Sequence, residues 1–535
     1  MHHNRRKLKL KKFYLHPITI YLLLTFLVLV LSAILSAFQM QATYNTISPT
    51  TNELESTLVT VENLLNFDGM KYIFSNAMTN FLSFAPLGML LLTLFGLSIA
   101  KSTGFLDTLC KRCLIKIDKK ILTFIIIFIA TISSLINDVG YVILIPISAM
   151  LFLLNNRNPY LGIIAAFAGV SFGYGVSIFV GSMEVNLIPD TTTAARLIDA
   201  SAHVSLTSNL FIIIAFSLIL SIVGTIIIEK IIAPRLGKYK EKEELSKTEE
   251  LVVVDEVDAK ELEQQKIEKD RHEKRGLKAA IITGIIVIIL FIYSIIPNLP
   301  YSGMLLDMEE DTYLGQLFGT NSYFQDGFTY MMALLLTLVG IAYGIGAKSI
   351  KNDKDIINGC KETFAPMGEI LMLIFVVSQF TSVFRETNIG TVIASWCASA
   401  VGNIGFTGLP LIIFAIIMIG LANLFVPTAS AKWQIFAPVM VPAFMQSNLS
   451  APFAQFILRA GTSITAGITP LLACFAIYIG YLNVYNPDKT KPITIHKSIS
   501  YLLPYFGIIA ITWILLIIGW YLIGLPLGPG VYATI

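Results

Sequence analysis

The stretch Gly420-Leu-Ala-Asn-Leu-Phe-Val-Pro-Thr-Ala-Ser-Ala-Lys-Trp433 lies in the middle of an apolar run from 408 to 446, and the architecture of the whole chain turns on it. A helix rises 1.5 Å per residue, so this run is too long for one membrane crossing and suits two half-spanning helices. Asn423, Pro427, Thr428 and Ser430 interrupt it at the centre, where freed backbone groups must be satisfied inside protein. The run therefore reads as a re-entrant hairpin. A second run, 121 to 154, has the same form and breaks at Ser133, Ser134, Asn137, Asp138 and Gly140.

The rest of the chain fits this reading. Of 535 residues, 55% are hydrophobic and 14% charged, whereas a soluble domain carries about 25% charged residues. A soluble fold is excluded. Besides the two hairpins, apolar stretches lie near 17–38, 79–100, 160–188, 207–233, 278–296, 325–347, 366–384, 453–482 and 498–524. The first is too long for the apolar core of a signal peptide and reads as a retained helix. A net charge of +3, dispersed among loops, argues against a nucleic-acid partner. Five cysteines in or beside apolar segments do not make a disulfide framework, and the Cys110/Cys113 pair lacks the second pair that a metal site needs.

Lys and Arg concentrate in the N-terminal segment, Lys101 to Lys120, Pro234 to Lys278, Lys348 to Lys361 and Lys489 to Lys497. The opposite loops, 39–78, 189–206, 297–324, 387–407 and 446–452, offer only Lys71 and Arg196. Basic loops face the cytoplasm, and all of them do so only if both hairpins enter and leave by one face. The expected fold is an all-α integral membrane protein with about nine transmembrane helices, two re-entrant hairpins and a cytoplasmic N-terminus, placed in the plasma membrane. Three parts follow: a membrane half at 1–233, a charged cytoplasmic linker at 234–277, and a second membrane half at 278–535.

The halves resemble each other weakly and in order, as inverted-repeat secondary transporters do. Lys101-Ser-Thr-Gly104 faces Arg385-Glu-Thr-Asn388, an offset of 385 − 101 = 284. Asn137 faces Asn423, and Ala168-Gly-Val-Ser171 faces Ala460-Gly-Thr-Ser463. After each hairpin comes a stretch dense in small residues, Gly169 to Ser177 and Gly461 to Pro470, which either interrupts a helix or lets helices pack closely. Half-helix ends expose backbone N–H at one side and C=O at the other, which suits an anion and a cation near the midplane.

The Gly420 to Trp433 stretch, followed by Phe436-Ala-Pro-Val-Met-Val-Pro442, resembles the p-aminobenzoyl-glutamate transporter family, AbgT type. Asp138-Val-Gly-Tyr-Val-Ile-Leu-Ile-Pro146, Phe167-Ala-Gly-Val-Ser-Phe-Gly173 and Thr387-Asn-Ile-Gly390 are similar to it too. The resemblance implies nine transmembrane helices, two hairpins, a homodimer, and transport of p-aminobenzoyl-glutamate or export of sulfonamide antimetabolites. It implies Asn423, Trp433 and Arg459 as substrate-cavity residues. This chain departs from the pattern at Glu184, where the family usually has Asp, and at Thr462, where an acid beside the arginine is missing.

Ionisable groups inside a membrane are functional candidates by default. Arg459, with Thr462 and Ser463 beside it and no acid at 462, either grips a substrate carboxylate or neutralises a structural acid or snorkels to an interface. Lys432 either adds positive charge at the second break or reaches water. Asp138 and Glu184 are candidates for binding or protonation, though Asp138 can equally cap a half-helix. Asn137, Asn423, Thr428 and Ser430 offer neutral oxygens; Asn137, Asn423 and Ser430 form a candidate sodium cage. Trp433 either stacks on an aromatic solute or packs.

The expected function is secondary active transport of a small carboxylate-bearing solute, coupled to Na+ or H+ and needing no cofactor. A sodium-coupled dicarboxylate symporter is the alternative and a channel a remote one. No motif of enzymatic chemistry is present.

Overall fold

A computed structural model describes residues 15–47, 53–114, 117–136, 138–239, 256–319 and 321–535. Asn137 and residues 240–255 of the linker lie outside the described residues. Among the described residues, eight helical stretches are long and apolar enough to cross a membrane. Seven are spans in their own right: Pro17–Ala37, Phe67–Ser102, Leu210–Leu236, Ile267–Ile295, Tyr323–Gly346, Asp353–Glu386 and Ile495–Ile523. The eighth, Lys119–Ile136, is the first arm of a hairpin. Two further spans are interrupted ones, Pro159–Phe172 with Ser182–Ala195, and Ala451–Ala466 with Phe475–Val484.

The first hairpin runs up Lys119–Ile132, turns through a tight 3-10 segment at Ser133–Ile136 and returns along Val139–Leu154. Gly140 is required at the turn, because a Cβ there would lie 2.0 Å from the Ser133 hydroxyl oxygen. The two ends of the hairpin meet: Arg157 donates to the Lys119 carbonyl at 3.1 Å and pairs with Glu229 at 2.6 Å. The hairpin therefore leaves by the face it entered. The second hairpin pairs Gly408–Asn423 with Ala429–Gln446, and residues 424–428 form its non-helical tip.

The N-terminal basic segment lies outside the described residues, and the described parts of the other basic segments gather at one end of the molecule. Arg112 pairs with Asp270 and Glu273, Ser349 donates to the Thr103 carbonyl, and Tyr239 donates to the Tyr485 carbonyl. At the opposite end the Glu62 amide donates to the Thr387 carbonyl, Asn209 to that of Pro452, and the Ser450 amide to that of Ala533.

The repeat is visible in backbone detail. Gly104 and Asn388, 388 − 104 = 284 positions apart, both adopt left-handed φ values (81° and 57°) at a helix start. Gly169 and Gly461 each lie tight against the first arm of their own hairpin. A Cβ would sit 2.6 Å from the Ala130 Cβ in the first case and 2.8 Å from the Ile419 Cβ in the second. These two glycines serve close packing, and the helices run through them. The interruptions fall later than expected, at 173–181 and 467–474, so Gly169, Ser171 and Gly461 through Thr465 are helical.

Three features refine the all-α reading. The chain is not wholly helical: strands Gln41–Ile47 and Leu54–Thr60 form an antiparallel pair. Residues 387–407, expected as a plain loop, contain the helix Ile389–Asn403. A single helix, Glu256–Ile295, carries the charged second part of the linker directly into the next span.

Candidate functional site

All four interruptions border one cavity of about 920 Å³. Asp138 comes from the first tip, Val426 to Thr428 from the second, Tyr174 from the first broken helix and Leu471 to Ala473 from the second. The remaining wall comes from the 67–86 helices and from Thr381 to Thr391. Inverted halves bring hairpins in from opposite ends, so their tips can meet only at mid-depth, where backbone breaks must be buried in protein.

Of the residues predicted from sequence, Asp138, Thr428 and Thr462 line this cavity. Asp138 is half-buried and makes no capping hydrogen bond, so its carboxylate is not held by the half-helix it begins. Thr428 is exposed at the second tip. The Thr462 hydroxyl is buried with no hydrogen-bond partner among the described residues.

The other predicted residues stand behind the wall, joining the two halves. Arg459 is 2% exposed and forms an ion pair with Glu184, whose second oxygen accepts from the Gly181 amide at 2.8 Å. Of the roles the sequence leaves open for Arg459, the structure shows the neutralising one, and the expectation of an unpaired arginine is corrected. The missing acid at 462 is supplied from the other half of the chain, at a sequence distance no local pattern can reveal.

Ser463 accepts from the Gly175 amide at 2.7 Å and donates to the Arg459 carbonyl at 2.8 Å, tying one broken helix to the other. Trp433 is fully buried and donates its indole N–H to the Leu187 carbonyl (3.1 Å) and Thr191 Oγ1 (2.9 Å). It braces the second hairpin against the first half.

Asn423 and Lys432 meet under the second tip. The Lys432 ammonium, fully buried, donates to Asn423 Oδ1 at 2.5 Å, to the Val426 carbonyl at 2.9 Å and to the Pro427 carbonyl at 3.2 Å. Lys432 does not snorkel to water. Ser430 is half-buried on the same turn and does not border the cavity.

Sequence reasoning passed over Arg385 and Glu386 as site residues. Both are exposed, both line the cavity, and Arg385 forms no ion pair with a described residue. The signal was present, since charged residues close an otherwise apolar span there, but Arg385 had served only as a landmark of the repeat. The aromatic lining of Tyr72, Phe84, Tyr141, Tyr174, Phe384 and Phe425 was equally invisible, because these residues come from five separate segments.

Known proteins share the pattern of this chain along nearly its whole length. Residues 12–535 match the family model described as "AbgT putative transporter family". The p-aminobenzoyl-glutamate transport protein of Escherichia coli K12 is 29% identical over 517 residues, covering 97% of this chain and 94% of that protein. Among solved structures, the YdaH transporter of Alcanivorax borkumensis is 29% identical, with a TM-score of 0.47, covering 96% of this chain and 100% of that one. Neisseria gonorrhoeae MtrF, described as illuminating a class of antimetabolite efflux pumps, is 30% identical with the same TM-score of 0.47, covering 97% of this chain and 98% of its own. The chain belongs to the AbgT family and is a membrane transporter, not an enzyme.

Proposed function

We propose that this transporter carries a small organic anion with an aromatic ring and a carboxylate, of the p-aminobenzoyl-glutamate kind, by alternating access through the cavity between the hairpin tips. The observation that carries the reading is the cavity lining. It combines six aromatic rings, which match a benzoyl ring, with Arg385, a guanidinium free of any described ion pair, which matches a carboxylate. The curated relative named for p-aminobenzoyl-glutamate transport supports the same solute class.

In this reading the carboxylate anchor is Arg385. Arg459, neutralised by Glu184, holds the broken helices together. Asp138, charged or protonated at the first tip, links solute movement to a Na+ or H+ gradient. The basic end faces the cytoplasm of a plasma membrane, which places the N-terminus inside. The working unit is a homodimer.

The test is uptake and counterflow in proteoliposomes with p-aminobenzoyl-glutamate, p-aminobenzoate, a sulfonamide and an aliphatic dicarboxylate, under imposed Na+ and H+ gradients. The expected result is saturable flux of the aromatic anion, competition by p-aminobenzoate, and an increase of KM by about tenfold or more in Arg385→Ala, the scale of a lost charge-assisted hydrogen bond. Flux restricted to the aliphatic dicarboxylate, or an unchanged KM in Arg385→Ala, overturns the assignment.

A further inference from the structure

The geometry points to Lys432 as a tethered cation: its ammonium occupies, from within the chain, a monovalent-cation site formed by the tip of the second hairpin. Three observations carry this inference.

The first is the donor set. One side-chain amide oxygen and two backbone carbonyls, Asn423 Oδ1, Val426 O and Pro427 O, converge on a single point at 2.5, 2.9 and 3.2 Å. Neutral oxygens of this kind are what a hard monovalent cation such as Na+ takes as ligands. They lie at the C-terminus of the half-helix Gly408–Asn423, the negative end of its dipole.

The second is that the cage is built rather than incidental. Asn423 Nδ2 donates to the Thr462 carbonyl at 3.1 Å, an atom that can only accept, and to Thr465 Oγ1 at 2.9 Å. The amide is thereby oriented with Oδ1 toward Lys432. Thr465 in turn donates to the Gly420 carbonyl at 3.0 Å, and Thr469 donates to the Leu424 carbonyl at 2.8 Å. The second broken helix thus holds the tip in the conformation that presents the three oxygens.

The third is stoichiometry. An ammonium has three donors and no acceptor, and each donor here meets one oxygen. Lys432 is fully buried, and no carboxylate among the described residues pairs with it. Its charge is balanced by carbonyl dipoles, as that of a bound metal ion would be. Taking the ammonium away would leave three converging acceptors without a donor beneath a tip that borders the cavity, a costly arrangement that a diffusible cation could relieve.

The inference concerns the second hairpin alone and does not depend on which solute is carried. The second tip keeps its shape without recruiting an ion, and any diffusible coupling ion acts elsewhere.

The test uses the purified full-length protein in nanodiscs, comparing thermal midpoints in sodium and in choline at equal ionic strength. In Lys432→Met, which keeps the stem and removes the charge, sodium should raise the midpoint by several degrees more than in the wild type. Asn423→Ala added to Lys432→Met should abolish that extra response. Lys432→Ala provides a second route, in which n-propylammonium should stabilise the variant and have no such effect on the wild type. A Lys432→Met protein with the wild-type sodium response overturns the assignment. So does an extra response that survives Asn423→Ala, or failure of both Lys432 variants to be stabilised by any of these cations.

Discussion

The two hairpins have similar arms and opposite tips. At the second, Lys432 fills the break and each donor of its ammonium finds an oxygen. At the first, Asp138 faces the cavity and caps nothing. The same kind of interrupted backbone occurs in both halves. What stands in each interruption differs, an internal ammonium beneath the second tip and an uncapped carboxyl group facing the cavity at the first. A break in a membrane helix is thus a place made for charge, and each half fills it independently.

The severest challenge to this contrast lies at the bridge between the halves. Arg459→Ala leaves Glu184 buried and unpaired, and should destabilise the protein by about 3 to 5 kcal/mol. Thermal or denaturant unfolding measures the loss, and Glu184→Ala in addition should restore much of it. If Arg459→Ala keeps full stability and instead loses solute affinity, Arg459 is a solute anchor after all.

A smaller loss is expected at the brace. Trp433→Phe keeps an aromatic ring but loses part of the indole's volume and the N–H that bonds to Leu187 and Thr191, costing roughly 2 to 3 kcal/mol. Relative fluxes of aromatic and aliphatic solutes should not change. A shift in that ratio would put Trp433 in contact with solute.

The smallest effect on stability belongs to the open tip. Asp138→Asn removes a carboxyl group that makes no capping hydrogen bond, so unfolding should move by no more than about 0.5 kcal/mol. Gradient-driven flux should nevertheless fall at least tenfold, while solute exchange without a gradient persists. Large destabilisation would show that the first tip is as sealed as the second, and would erase the contrast.

Much of this was legible in the chain. Ser133 to Gly140 and Asn423 to Ser430 announced both breaks, because a lipid-length apolar run tolerates polar and helix-breaking residues only where protein satisfies the freed backbone. The basic loops announced one end of the molecule, and offsets near 284 announced the repeat that Gly104 and Asn388 bear out in their left-handed backbones. The site was less legible. Sequence singled out Arg459 and Glu184 separately without joining them, singled out Asn423 and Lys432 without seeing one close on the other, and left Arg385 as a landmark.

The positions of the two hairpin breaks follow from the order of residues alone, since run length and residue chemistry act locally along the chain, whereas the breaks at 173–181 and 467–474 lie later than their small residues indicate. Which charges neutralise one another was settled only when the halves packed together. The pairings Arg459 with Glu184 and Trp433 with Thr191 span 275 and 242 positions. Coulombic and hydrogen-bond forces act over a few ångströms of space, whatever the separation along the chain.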